Sequence, residues 1–79
     1  MIRYEQKEVV AISRNLKIKV ARAKLDMNQK DLAEVVGVSR QTINAIEKGE
    51  YNPTLKLCIA ICKALHQTLD DLFWEEDVL

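Results

Sequence analysis

Arg40, Gln41, Asn44 and Lys48 fall on one side of any helix that spans them, offering a guanidinium, two carboxamides and an ammonium with almost no apolar bulk. Guanidinium groups pair with O6 and N7 of guanine, carboxamides with N6 and N7 of adenine, and ammonium groups with phosphate. The set therefore suits a surface inserted into the major groove of duplex DNA, with Arg40 and Gln41 on base edges, Asn44 near bases or sugar, and Lys48 on phosphate. A second group, Cys58, Cys62 and His66, has the i, i+4, i+8 spacing of three metal ligands along one helix. The geometry argues against a metal site, because at about 100° per residue His66 points roughly 80° away from Cys58. The cysteines also lie on an apolar stripe, so they read as small core hydrophobes. A disulfide is not expected from an i, i+4 helical pair in a reducing compartment. With one histidine, two serines at expected helix starts and scattered carboxylates, no nucleophile and base are paired, and there is no Gly-rich phosphate loop. No enzyme activity, metal, cofactor or small-molecule ligand is expected.

The elements that must position these residues can be read from caps and periodicity. Asn28 can cap a helix over Gln29 to Val36 that places Leu32, Ala33 and Val36 on one face. Gly37 supplies the positive φ of a tight turn, Val38 is expected to be buried beneath it, and Ser39 caps a next helix that turns Ile43 and Ile46 inward and stops at Gly49. Folding the two helices together leaves Arg40, Gln41, Asn44, Ala45 and Lys48 on the far side. Before this pair, a helix from about Ser13 or Asn15 to Lys24 is expected to face the core with Ile18, Ala21, Arg22 and Leu25. After it, Thr54 caps a helix to Leu65 that buries Leu55, Cys58, Ile61, Cys62 and Leu65, with Lys56 and Lys63 in water. A short final helix from Thr68 to Phe73 has Asp71 three residues beyond its cap and packs Leu69, Leu72 and Phe73 inward. Arg22 is anomalous, because an inward arginine is rare unless paired.

From about Asn15 to Phe73 the chain resembles the lambda-repressor and Cro-like regulators, the Xre family. The resemblance rests on Gln29, Leu32 with Ala33, Gly37, Val38 with Ser39, the Ile46-Glu47-Lys48-Gly49 run and the Asn52-Pro53-Thr54-Leu55 entry into the fourth helix. It covers about three quarters of the chain. It implies an all-α, compact five-helix domain that binds operator DNA, usually as a symmetric dimer, with Arg22 and Glu47 paired to tie the first helix to the recognition helix. Two positions depart from the pattern: Asp26 and His66 stand where the family usually has Gly. Asp tolerates the left-handed conformation better than most residues, whereas His66 puts the sharpness of its turn in doubt.

Composition is consistent with this reading. Seventy-nine residues, 48% of them hydrophobic, can build one small core of the kind that oligomerisation reinforces. There is no run of 18 apolar residues and no signal-peptide layout, so a cytoplasmic location with no membrane partner is expected. The net charge is zero, but it is unevenly distributed. Residues 14–56 carry nine bases against five acids, and residues 57–79 one base against five acids. Such polarity can set the basic half on phosphates with the acidic half turned away. Gln29 and Lys30 at the positive end of the second helix are expected on the DNA backbone, with Thr42, Tyr51 and Asn52 as weaker backbone candidates.

The chain divides into an extension (1–13), the helix-turn-helix domain (14–74) and an acidic stretch (75–79). In the extension, Ile2 and Tyr4 alternate with charges as in a strand, whereas Val9, Ile12, Leu16 and Val20 keep helical spacing. Leu16 and Val20 thus form a second apolar stripe that either the extension or another subunit must cover. Trp74, Val78 and Leu79 pose the same question, with packing on the domain's own edge as the alternative to an interface. The sequence points to a repressor that binds a palindromic operator as a homodimer. Two alternatives remain: an antitoxin that uses the same helices for autoregulation while masking a small protein partner, and an interaction module that has lost DNA binding.

Overall fold

A computed structural model describes residues 15–73 as five helices: α1 (Leu16–Lys24), α2 (Gln29–Val36), α3 (Arg40–Lys48), α4 (Leu55–Leu65) and α5 (Leu69–Phe73). The extension before Arg14, and Trp74, Val78 and Leu79, lie outside the described residues. Each of the four longer helices begins where a polar side chain accepts a hydrogen bond from a backbone N–H of the first turn. Asn15 accepts from Ile18, Asn28 from Asp31, Ser39 from Thr42, and Thr54 from Leu57. At α2 and α5 the bond is reciprocal, since Asp31 accepts from the N–H of Asn28, and Asp71 and Thr68 accept from each other's N–H. Such caps are worth about 1 kcal/mol each and fix where α2 and α3 start, and hence which residues face outward.

Ile18, Leu32, Ile43, Ile61 and Leu65, one or two from each of the four longer helices, are fully enclosed, with Leu72 of α5 closing the end of the core. Each buried side chain of this size contributes about 1.5–3 kcal/mol relative to exposure. Val36 and Val38 pack at the edge of this core, so Val38 is half-buried rather than enclosed under the turn. Three expected core positions are corrected. Leu25, which follows the last turn of α1, is 39% exposed; Leu55, the first residue of α4, is 65% exposed; and Leu69, the first of α5, is 38% exposed. All three stand at an end of their helix's apolar stripe.

Gly37 and Gly49 end α2 and α3 at φ of 82° and 80°. Asp26 and His66 adopt the same left-handed geometry at φ of 61° and 58° despite their side chains. His66 still closes α4, donating its N–H to the carbonyl of Lys63, so the turn keeps its sharpness at the cost of strain. Left-handed geometry costs a residue with a Cβ about 1 kcal/mol or more. His66→Gly is therefore expected to raise the unfolding free energy by about 1 kcal/mol in thermal or urea melts, as is Asp26→Gly. A decrease at either position would mean that its side chain makes a stabilising contact outweighing the strain.

Candidate nucleic-acid interface

The outward face of α3 is mounted on a hydrogen-bonded frame that begins in the interior. Arg22 of α1 donates through Nε and Nη2 to the two carboxylate oxygens of Glu47 at 2.7 and 3.0 Å, and through Nη1 to the carbonyl of Met27 at 3.0 Å. The paired side chains are only 10% and 8% exposed, and no buried polar side-chain atom among the described residues lacks a partner. The pair ties α1 to α3, and the Met27 contact adds the α1–α2 turn. A backbone bond reinforces the joint, with the N–H of Asn15 donating to the carbonyl of Glu47 at 2.9 Å.

Gln29, the first residue of α2, extends the frame toward the surface. Its Nε2 donates to Glu47 Oε1 at 3.1 Å and to Asn44 Oδ1 at 3.2 Å, while its Oε1 lies 3.4 Å from Arg40 Nη1. A reversed amide would set oxygen against the carboxylate and NH2 against the guanidinium, so the charges on both sides fix its orientation. Gln29 thus aligns two of the residues that sequence assigns to base edges. Sequence placed it on phosphate, and nothing in its spacing signalled these contacts.

Arg40, Gln41 and Lys48 are exposed, and Asn44 and Ala45 are half-buried beside them, while Ile43, Ile46 and Glu47 face inward. Lys30 is exposed on α2, and Tyr51 and Asn52 are exposed just past α3. Thr42 is less available, because its hydroxyl is 3.0 Å from that of Ser39 within the cap. Asn15, Lys19, Arg22, Gln29, Asn44 and Lys48 line a cleft of about 220 Å³ at the junction of α1, α2 and α3, which brings Lys19 to the same side as Lys48. Lys19 counts among the nine bases of residues 14–56 but is not assigned to the interface from sequence, because periodicity alone does not show which way α1 leans over α3.

A capped α2, a left-handed Gly37 and an α3 whose polar face looks outward make a helix-turn-helix, and residues 18–72 match the helix-turn-helix family model. The chain belongs to that family, in its lambda-repressor-like (Xre) branch. This helix-turn-helix chain is 49% identical over 61 residues to YgzD, an uncharacterized HTH-type transcriptional regulator of Bacillus subtilis, the match covering 77% of this chain and 92% of that protein. It is 51% identical over 61 residues to an uncharacterized HTH-type transcriptional regulator of Methanocaldococcus jannaschii, with the same coverages. Among solved structures it resembles the restriction-modification controller protein C.AhdI of Aeromonas hydrophila, with a TM-score of 0.72 at 23% identity over 84% of this chain and 97% of that one. It also resembles the SOS-response transcriptional repressor LexA of Eubacterium rectale, with a TM-score of 0.70 at 24% identity over 95% of this chain and 76% of that one. Both likenesses concern the five-helix fold.

The cysteines are not part of this interface. Cys62 is buried and Cys58 half-buried, and burial pushes both thiols above their usual range, which favours the protonated form over a metal-binding thiolate. His66 is exposed at the left-handed end of α4, and no three His, Cys, Asp or Glu side chains among the described residues are grouped to hold a metal. No described helix is long and apolar enough to cross a membrane.

Proposed function

We propose that the protein is a DNA-binding transcriptional regulator that inserts α3 into the major groove of a palindromic operator and represses by occupying the promoter. The observation that carries this reading is the polar face of α3, outward, cationic and amide-bearing, anchored through Gln29 and Glu47 to the buried Arg22. A base-reading helix must not rotate when it meets DNA, and a first contact layer held by a second provides that rigidity. Arg40, Gln41 and Asn44 read bases; Lys30, Lys48, Tyr51, Asn52 and the backbone N–H of Gln29 hold phosphates, with Thr42 at the margin of the footprint.

One such helix covers only a few base pairs, and a single module rarely buries enough surface for specific affinity. The operator is accordingly bound by two copies about a twofold axis, with half-site centres about 34–36 Å apart. Selection of bound duplexes from a random library tests the reading: it should return an inverted repeat with that spacing, and recovery of unrelated sequences would overturn it. Lys48→Ala should weaken binding to specific and random duplexes alike. It should also make the slope of log affinity against log salt shallower by about one unit for each phosphate that the ammonium neutralises. An unchanged slope would remove Lys48 from the footprint, and Lys30→Ala is read the same way.

A further inference from the structure

Alongside the DNA-facing side, α1 and α5 flank a groove of about 350 Å³ lined by the apolar Leu16, Val20, Ala21 and Leu72 and, among polar residues, by Lys17, Lys24, Gln67 and Asp71. Leu16 and Val20 are 56% and 53% exposed, an apolar pair with no described neighbour covering it. We propose that this groove is the seat of the chain's own residues 74–79, Trp-Glu-Glu-Asp-Val-Leu. The assignment is independent of the DNA-reading proposal.

Three observations converge on this occupant. The first is where the chain leaves the described domain. Asn15 Nδ2 donates to the carbonyl of Leu72 at 2.9 Å, so α5 ends beside the residue that precedes Leu16, one residue short of where residues 74–79 begin in the sequence. The second is length. From Leu16 to Lys24 the groove runs about 12 Å along α1. Six extended residues span up to about 20 Å, enough to turn and lie along it. The third is chemistry. Trp74, Val78 and Leu79 match the apolar lining, and Glu75, Glu76 and Asp77 suit a rim on which two lysines, Lys17 and Lys24, outnumber the one carboxylate, Asp71. Residues 1–14 also adjoin this end, but with three bases and two acids they lack that complementarity.

Tethering favours the chain's own segment over that of a second copy. Residues 74–79 follow α5 directly in the chain, and such tethering gives an effective concentration on the order of millimolar, well above the protein concentrations at which a regulator operates. The assignment also withdraws Leu16, Val20, Trp74, Val78 and Leu79 from the candidate dimer surface, so the twofold contact falls on another face.

Trp74 is the only tryptophan in the chain, and its fluorescence therefore reports on this site alone. The intact chain should emit to the blue of a water-exposed indole and resist acrylamide quenching, equally at low and high protein concentration. Val20→Glu and Leu16→Glu should each shift emission to that of exposed indole and remove the protection. Val35→Glu, at a 63% exposed position on α2, should do neither. Circular-dichroism melts confirm that each variant is folded. Emission from exposed indole in the intact chain, or emission that neither groove variant alters, would overturn the proposal. A blue shift that develops only as protein concentration and molecular mass rise together would do so as well, giving the groove to a second copy.

Discussion

Glu47→Ala should lower the unfolding free energy by about 3–5 kcal/mol, because it leaves a guanidinium buried without its counter-ion. The magnitude follows from enclosure. An exposed ion pair is worth at most about 1 kcal/mol, since water and salt screen it, but the side chains of Arg22 and Glu47 are only 10% and 8% exposed and share two hydrogen bonds. Without Glu47, Arg22 keeps, among the described residues, only the Met27 carbonyl, and the Gln29 amide loses the charged one of its two acceptors. Small domains hold about 5–15 kcal/mol in total, so this substitution removes a large share of the stability. Replacing both residues with apolar ones of similar volume should cost much less than the single change, because no charge is then stranded. A double-mutant cycle by urea denaturation measures the difference; coupling near zero would reduce the pair to ordinary surface charges.

The second large effect is on recognition. Arg40→Ala should cost about 1–3 kcal/mol on the selected duplex and relax the preference at one base pair, as expected when a bidentate pairing with guanine is removed. Arg40 lies on the exposed side of α3 and, among the described residues, contributes only its long contact to Gln29, so stability should barely change. Equal losses on selected and random duplexes would assign Arg40 to phosphate instead. The two substitutions thus separate the frame from the face: Glu47→Ala impairs folding and binding together, and Arg40→Ala impairs specificity alone.

Helix boundaries were legible in the sequence because they are set by local chemistry. Asn28, Ser39 and Thr54 cap where their side chains predict, and Gly37 and Gly49 stop α2 and α3 because left-handed geometry closes those ends. Periodicity also found the interior of each stripe, from Ile18 and Leu32 to Ile61 and Leu65. It failed at stripe ends, as with Leu25, Leu55 and Leu69, because exposure there depends on where a neighbouring helix stops. The Arg22–Glu47 pair was only half legible: periodicity marked Arg22 as anomalous, but its partner came from the family resemblance. The contacts of Gln29 to Arg40, Asn44 and Glu47 depend on side-chain direction across two helices, which spacing along one chain does not encode. His66 shows the converse, a residue that sequence reads as a poor turn former held in left-handed geometry by the bonds that close α4.

The central claim is that the outward face of α3 reads base sequence, and competitive binding by fluorescence anisotropy tests it most directly. A duplex selected from a random library and a scrambled duplex of the same composition are titrated over a range of salt, with the parent chain and with Arg40, Gln41 and Asn44 all replaced by Ala. The parent chain should bind the selected duplex at least about 10³-fold more tightly at physiological salt, and the triple variant should lose that preference while keeping its fold and weak, salt-sensitive binding to both duplexes. Equal affinity of the parent chain for the two duplexes at every salt concentration would contradict the account.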